Sequence, residues 1–273
     1  MFGCWHDEGR LYNCRDSYGS WGYFSRESIS RYEPSFYILL TERETLRFPD
    51  IEAESGVRFQ TDCGFLSVVG PRYLGLQDWL GYSGEVIRAR GANLHNSLQL
   101  SKQFPFLAVP PDALGCHELP GHGGGFISPR SFVAAQQSLA RAGGCQIIRS
   151  LVADISSREG GFTVTTNTGA VYHCEKVVIC QGTYLGVSPL TRSLLPPPDV
   201  WFTAQTVALL EVGPEEASRL REMPSMVVQV EPSQYTYILP PILYPDGKTY
   251  LKLGQHDLDK TLRTEKDVRL HFR

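Results

Sequence analysis

Residues 125–148, GFISPRSFVAAQQSLARAGGCQII, carry the clearest local signals in the chain. Ser128 is a good N-cap, and Pro129 suits the first position of a helix. A largely apolar stripe at helical spacing follows, and Gly143-Gly144 is expected to end the helix. The stripe consists of Phe132, Ala135, Gln136, Leu139 and Ala140. The run CQIIR after the glycines predicts a short buried strand.

The sequence beyond this helix predicts an antiparallel meander and then an inner strand. Three runs, LVADISS, GFTVTT and AVYHC, are separated by the turns REG and NTG. The apolar run KVVICQG is typical of an inner parallel strand that ends in a glycine turn. This order is the second half of a dinucleotide-binding domain, whose first half would carry a GxGxxG turn. The candidate GHGGGF at 121–126 has no strand before it and is interpreted as a flexible loop.

The C-terminal part predicts an antiparallel sheet. SLLPPPDV at 193–200 is a stiff connection, and four β-like runs follow it: FTAQTVALLEV, SMVVQVEP, YTYILPP and TYLKLGQH. In YLKLGQH, alternation puts Leu251 and Leu253 on one face and Lys252, Gly254 and His256 on the other. The second face is either solvated or the wall of a cavity. The last residues, DKTLRTEKDVRLHFR, have helical periodicity.

The N-terminal part gives weaker signals. Residues 1–24 read as an aromatic-rich loop, so we expect the chain to lack what preceded it. Pro34 and Pro49 bracket residues 34–50 and are expected to interrupt any helix there, so this segment is interpreted as an insertion. The run RFQTDCGFLSVVG at 58–70 predicts two short strands, and 73–105 predicts some helix that ends at Pro105.

The composition is that of a soluble globular protein, with 42% hydrophobic residues, 20% charged residues and a net charge of −3. A nucleic-acid or membrane surface would need a concentrated basic face, and a membrane span would need about 18 consecutive apolar residues. The sequence has neither, and no signal peptide opens it. Seven cysteines without a CxxC pair indicate mostly free, buried thiols in a reducing compartment. We therefore expect an intracellular protein, cytoplasmic or peroxisomal.

Several motifs together resemble the flavoprotein amine and amino-acid oxidases of the D-amino-acid oxidase superfamily, closest to monomeric sarcosine oxidase. HDEGR at 6–10 is similar to the family's flavin loop, VVICQGTYLG to its strand-to-flavin turn, and YILP with YLKLGQH to its active-site strands. The resemblance implies an α/β (α+β) fold. A partial FAD-binding Rossmann-like domain, 1–33 and 125–188, would be interleaved with an antiparallel-sheet substrate domain, 57–124 and 189–273.

The resemblance also implies catalytic roles. Lys252 matches the lysine that reaches the flavin N5 region through water and helps oxygen to react. His256 matches the histidine beside the substrate amine, Tyr237 a tyrosine that lines the substrate cavity, and Arg10 a loop arginine against the isoalloxazine. Without the resemblance, the residues favour an exposed strand lysine at position 252, whereas a polar residue at a strand end fits His256 as well as a catalytic one does.

FAD is the implied cofactor, and five residues are expected to bind it. The flavin loop contributes three of them, one residue is expected to meet the adenine end, and one glycine turn passes close to the cofactor. In that order they are His6, Gly9 and Arg10, then Val152, then Gly182.

The sequence departs from the family pattern in three places. Asn13 stands where many relatives have a second arginine that binds the substrate carboxylate, and Arg15 is the nearest substitute. The GxGxxG unit would precede Met1, and the flavin-linking cysteine would follow Arg273. We therefore expect residues 1–273 alone to hold FAD weakly or not at all.

The implied reaction is FAD-dependent oxidation of the C–N bond of a secondary amino acid such as sarcosine, with oxygen as acceptor and hydrogen peroxide as product. The expected partners are a small amine or amino-acid substrate and oxygen, with no nucleic acid and no membrane. Two alternatives stay open: an inactive truncated fragment, and a non-catalytic small-molecule-binding protein. A zinc site from Cys116, His117 and His122 with Cys4 and His6 matches no zinc spacing, so no metal is expected.

Overall fold

The computed structural model describes residues 34–72, 91–122, 124–185, 190, 202–231, 234–255 and 261–271. The chain divides into two compact units. The first, here called the meander unit, comprises Met1–Arg15, Gln136–Ala204 and Asp257–Arg273. The second, here called the sheet unit, comprises Asp16–Ala135 and Gln205–His256. Each unit is described by itself below.

The described residues contain five helices, one 3₁₀ turn and fourteen strands. The helices are α1 Pro34–Ser55, α2 Ser97–Gln103, α3 Pro129–Ala142, α4 Pro214–Arg219 and α5 Glu265–His271, with a 3₁₀ turn at Gly182–Tyr184. The strands are β1 Gln60–Thr61, β2 Phe65–Val69, β3 Asn93–Asn96, β4 Leu114–Glu118, β5 Phe126–Ile127, β6 Val152–Arg158, β7 Gly161–Thr166, β8 Val171–Cys174, β9 Phe202–Thr203, β10 Thr206–Glu211, β11 Ser225–Glu231, β12 Gln234–Leu243, β13 Thr249–Gln255 and β14 Thr261–Leu262. None of these helices is long and apolar enough to cross a membrane.

A seven-stranded sheet with the order β10-β13-β12-β11-β2-β4-β3 dominates the sheet unit. Its pairs are antiparallel except β11 with β2. The prediction of strands in all four C-terminal runs is confirmed, as is the break between β1 and β2 near Cys63-Gly64. Pro240 and Pro241 lie inside β12, where the pairing with β13 shifts register between Leu239 and Ile242. Prolines cannot donate to a ladder, so a bulge is the place in a strand that tolerates them.

One face of this sheet carries the main core. Leu66 and Val68 of β2 and Met226 of β11 are buried there. Leu100 and Phe104, from α2 and its end, pack on them. Burying a leucine completely contributes about 1.5–3 kcal/mol, so α2 is held mainly by this face. A capping box between Asn96 and Gln99 begins the helix, which ends before Pro105 as predicted.

The expectation that prolines interrupt a helix over 34–50 is wrong, because α1 runs continuously through Pro49. Packing compensates for the backbone hydrogen bond that a helical proline removes. Ile51 is 3% exposed, and the Phe48 ring packs edge-on against Phe59 and Phe132 at 5.3 and 5.9 Å between centroids. The Glu52 carboxylate further accepts the backbone N–H groups of Phe59 and Gln60.

In the glycine-rich run 121–126, where the sequence suggested a flexible loop, the described residues 124–126 pack against other backbone segments. Gly125 is buried with φ of +155°, and a Cβ there would lie 2.0 Å from the carbonyl oxygen of Thr61. The Gly124 carbonyl accepts a hydrogen bond from the Gly64 N–H at 2.9 Å. The glycines therefore let two backbone segments cross at close range.

In the meander unit, β6, β7 and β8 form the predicted antiparallel meander. The predicted start of α3 is also confirmed, because Ser128 Oγ accepts the Ser131 N–H at 3.3 Å. The strands predicted for CQIIR and KVVICQG are wrong. Residues 145–150 and 176–181 form no strand, and Ile148 and Val178 are 36% and 41% exposed. A strand needs a hydrogen-bonded neighbour, and none of the described residues pairs with either run.

Candidate functional site

The strand β13 presents two chemically different faces, as its sequence predicts. Leu251 packs on the main core of the sheet unit, together with Ile238 of β12. Lys252 and Gly254 point to the opposite face, because successive side chains in a strand alternate. Lys252 is half-buried and Gly254 is buried, so this face is covered at β13 and is not a fully solvated surface.

Tyr237 lies directly beside Gly254 in the antiparallel pairing of β12 with β13. The aromatic ring lies against the glycine itself. A Cβ at position 254 would sit 2.2 Å from Tyr237 Cζ and 2.3 Å from both Cε1 and the phenol oxygen. Gly254 thus gives the ring room to pack on the strand backbone.

Lys252 is two residues from Gly254 on the same face and lies over the Tyr237 ring. Its Nζ atom is 5.7 Å from the ring centroid. A cation at this distance from an aromatic face is attracted by the quadrupole of the ring. Leu209 of β10 and Leu239 of β12 are its partners in register on either side. Burial lowers the pKa of Lys252 below the ordinary lysine value, because desolvation disfavours the charged form.

The surroundings of this pair change across the sheet. Towards the middle, the same face continues through Val227, Ser67 and Cys116, which are 5%, 6% and 5% exposed. Towards the edge, Val207 and Leu209 of β10 are 42% and 43% exposed. Lys252 and Tyr237 therefore lie where a buried surface meets an accessible one. This is where a small molecule could reach a half-buried cation.

The remaining predicted site residues divide into two groups. His6, Gly9, Arg10 and His256 lie outside the described residues, as do Asn13 and Arg15. Val152 and Gly182 belong to the meander unit. The structure therefore brings together Lys252 and Tyr237 among the predicted catalytic residues, both within the sheet unit.

Val152 begins β6 opposite Thr166, and the pairing shifts register between Val152 and Asp154. Such a bulge redirects the backbone locally. Gly182 opens the 3₁₀ turn with φ of +58°, a conformation that favours glycine. The side chain of the preceding residue, Gln181, has a buried Oε1 without a hydrogen-bond partner among the described residues. The predicted glycine turn at 182 is therefore confirmed, and its function remains a prediction.

A second polar cluster lies on the core face at β3 and β4. His117 is 6% exposed, its Nδ1 is 3.3 Å from Gln103 Nε2, and its ring packs edge-on against Phe104 at 5.0 Å. The His95 ring is 6.1 Å away. Burial, with a smaller contribution from His95, lowers the pKa of His117 to about 4. Both rings are therefore neutral near pH 7, and the cluster is a packing arrangement.

The zinc alternative drawn from Cys116 and His117 is not supported by their geometry. They are neighbours in β4, so their side chains point to opposite faces of the sheet. His122 is exposed. No group of three potential metal ligands occurs within the described part of the chain.

Gly254 is the site residue that sequence reasoning missed. Alternation placed it on the Lys252 face, but its contact with Tyr237 depends on the register between β12 and β13. That register is a property of the two strands together and cannot be read from either strand alone.

Residues 7–271 match the family model described as DAO, FAD dependent oxidoreductase. A similar fold is found in NikD, an unusual amino acid oxidase essential for nikkomycin biosynthesis, with 20% identity, a TM-score of 0.58, and coverage of 87% of this chain and 58% of that chain. Iminodiacetate oxidase from Chelativorans sp. BNC1 is similar with 16% identity, a TM-score of 0.55, and coverage of 82% of this chain and 58% of that chain. Glycine oxidase from Geobacillus kaustophilus is similar with 16% identity, a TM-score of 0.55, and coverage of 84% of this chain and 58% of that chain. At these identities the likeness concerns the fold, and it agrees with the expected α/β (α+β) class. The chain spans less than two thirds of the length of these structures. No curated protein matches the sequence.

Proposed function

Because this chain belongs to the DAO family of FAD-dependent oxidoreductases, we propose that it serves to oxidise the C–N bond of a secondary amino acid, N-methylated or cyclic, such as sarcosine. Oxygen is the final acceptor, and hydrogen peroxide is the product. Lys252 above the Tyr237 ring carries the proposal, because a half-buried cation beside an aromatic wall suits both electron transfer to oxygen and binding of a small substrate.

The chemistry divides between cofactor and protein. When bound, FAD supplies the two-electron acceptor for the hydride on the carbon next to the amine nitrogen, and it passes these electrons to oxygen. The substrate leaves as an imine, which water hydrolyses. Lys252 contributes positive charge where oxygen gains negative charge, and such charge is more effective in a site partly shielded from water. Tyr237 forms a wall of the substrate space.

Two features of the described residues fit FAD as the cofactor. Gly182, with its left-handed φ, opens the backbone to close approach, and the buried Gln181 Oε1 can accept a hydrogen bond from a bound group. We propose that Val152 and Gly182 hold FAD together with the flavin loop His6, Gly9 and Arg10. The FAD-binding domain would then comprise 1–33 and 125–188, the substrate domain would comprise 57–124 and 189–273, and 34–50 would be an insertion.

Two observations support the proposed substrate class: the substrates named for the structural relatives, and the side chains expected to bind the substrate in this chain. Iminodiacetate, the substrate named for one relative, is itself a secondary amino acid, whereas glycine, named for another, is a primary one. Asn13 cannot supply the charge of the carboxylate-binding arginine that relatives often carry, and Arg15, two positions further on, is the nearest cation that could take its place. His256 would stand beside the substrate amine, where an imidazole can help to keep the amine unprotonated.

We propose an intracellular location, cytoplasmic or peroxisomal. The five described cysteines, Cys63, Cys116, Cys145, Cys174 and Cys180, are free thiols, as expected in a reducing compartment. Only Cys116 among them is buried, so the expectation of mostly buried thiols was wrong.

Replacement of Lys252 by methionine tests the assignment. In FAD-loaded protein, Lys252→Met should slow reoxidation by oxygen by about 100-fold or more and slow anaerobic reduction by sarcosine only a few-fold. Lys248→Met is the matched control, because Lys248 lies in the same hairpin but is exposed and paired with Glu211 at 2.6 Å. Stopped-flow absorbance resolves the two half-reactions. Equal slowing of both by Lys252→Met would remove the proposed role of this lysine.

A substrate panel tests the activity itself. Peroxide formation from sarcosine, proline and iminodiacetate should exceed that from glycine at equal concentration. Preference for glycine would refute the secondary-amine assignment. A protein that unfolds cooperatively and binds amino acids, yet shows no saturable binding when titrated with FAD, would favour the non-catalytic alternative. A colourless protein without cooperative unfolding would favour the inactive fragment.

A further inference from the structure

Backbone conformation does not explain why residue 254 is a glycine. It lies inside β13 and does not have a positive φ, so any residue could adopt its backbone geometry. A glycine within a strand costs about 0.5–1 kcal/mol relative to alanine. A contact that only glycine permits would explain its presence.

That contact is with a single side chain. The three heavy atoms nearest to a Cβ at position 254 all belong to Tyr237, at 2.2–2.3 Å. Ordinary contacts begin near 3.4 Å, so even the smallest side chain would displace the far end of the ring by roughly an ångström. The register between β12 and β13 fixes the two backbones, so the ring has to move.

Movement of this ring would change the environment of the Lys252 ammonium. Its Nζ lies 5.7 Å from the ring centroid, near the outer limit of about 6 Å for attraction to a ring. Burial lowers the pKa of this lysine, and a ring at this distance is one of the groups that can keep water from its ammonium. A displaced ring would therefore change both the attraction and the solvent access of the ammonium.

We propose that Gly254 is a positioning residue. Because Gly254 has no side chain, the Tyr237 ring can pack on the strand backbone, and the position of the ring then determines the solvent access of the Lys252 ammonium and its attraction to the ring. This inference rests on the proposed function for the claim that Lys252 matters to catalysis, but the coupling of the three residues can be measured without turnover.

A double-mutant cycle tests the coupling. The variants are Gly254→Ala, Tyr237→Ala and the combination of both. The readout is the pH dependence with which an amine-reactive acylating reagent labels Lys252, followed by peptide mass spectrometry in protein without FAD. Unprotonated lysine reacts, so the rate reports its pKa.

We expect Gly254→Ala to raise the pKa of Lys252 by uncovering it, so that the unprotonated fraction at pH 8, taken from the pH profile of labelling, falls by about threefold. Tyr237→Ala should lower this fraction by a similar or larger factor, because it removes the ring. When the ring is already absent, adding Gly254→Ala should change the fraction by less than about 1.5-fold. Equal effects of Gly254→Ala with and without the ring, or no effect in either, would overturn the proposal.

Two further measurements separate positioning from general damage. Gly115→Ala is the control, because Gly115 lies in β4 of the same sheet and its Cβ would meet Leu100 on the other face. It should leave Lys252 labelling unchanged. If Gly254→Ala alone does not fold, the double variant should fold, since the three atoms nearest to the added methyl all belong to the Tyr237 ring. Failure of both to fold would contradict the inference.

The cycle also distinguishes this proposal from the proposed function. Coupling in the labelling assay, together with normal reoxidation in Lys252→Met, would retain the role of Gly254 and reject that of Lys252 in oxidation. The absence of coupling, together with slow reoxidation in Lys252→Met, would do the reverse.

Discussion

Because His117 is buried and uncharged, we expect the folded protein to lose stability in mild acid. In the unfolded chain its pKa is near 6.5, and burial lowers the folded value to about 4. Between these values the unfolded state binds a proton that the folded state does not. The folded state is therefore fully favoured above pH 6.5, loses stability as the pH falls below 6.5, and reaches the full loss near pH 4.

The size of this effect follows from the same two values. Each pH unit over which the two states differ by one proton changes the free energy of unfolding by about 1.4 kcal/mol. The interval from 6.5 to about 4 therefore corresponds to about 3 kcal/mol. His117 is 6% exposed and packs edge-on against Phe104, so little solvent can screen the incoming charge.

Urea unfolding followed by far-UV circular dichroism, at half-unit steps from pH 7.5 to 4.5, measures the effect. Carboxylates also titrate in this range, so the comparison is between the parent protein and His117→Leu. The variant should lose about 2–3 kcal/mol less between pH 7.5 and 4.5. His173→Leu is the matched control, because His173 lies in β8 and is exposed. If His117→Leu and the parent protein showed the same acid dependence, the reasoning from burial would be refuted.

Three further substitutions test the packing of the sheet unit. Pro49→Ala should stabilise the protein by about 1–3 kcal/mol in thermal unfolding, because it restores a donor inside α1; an unchanged or lower midpoint would mean that Pro49 relieves a strain elsewhere. Gly125→Ala should destabilise by more than about 1 kcal/mol, because the added Cβ would overlap the Thr61 carbonyl. Gly213→Ala serves as its control, because Gly213 has open space around its Cβ position and a φ of −72° that alanine can adopt. Asn96→Ala should cost about 1 kcal/mol and increase amide exchange in α2, since it removes the capping box; unaltered exchange would argue against that cap.

Much of the fold could be predicted from the sequence where the signal is local. The meander β6–β8 and the cap at Ser128 each depend on a few consecutive residues, and the structure contains both. Alternation within β13 also separated Lys252 from Leu251 correctly. These features follow from periodicity and turn chemistry, which neighbouring residues determine by themselves.

The wrong predictions all concern segments whose structure depends on residues that are distant in the sequence. CQIIR and KVVICQG are apolar enough to be strands but have no pairing neighbour in the described chain, and α1 keeps Pro49 because Phe59 and Phe132 pack beside it. In the candidate site, residue types identified Lys252 and Tyr237 through the family resemblance. The packing of the Tyr237 ring on Gly254 could be recognised only once the register between the two strands was known.

The parallel pairing of Phe65 with Ser225 places a constraint on biosynthesis. During translation β2, β3 and β4 leave the ribosome long before β11, so one edge of the nascent three-stranded piece waits without its neighbour. Long-range parallel pairing is slow, and unpaired strand edges invite association with other chains. Production of this protein should therefore be sensitive to chaperone supply and to growth temperature, which govern how long that edge stays open.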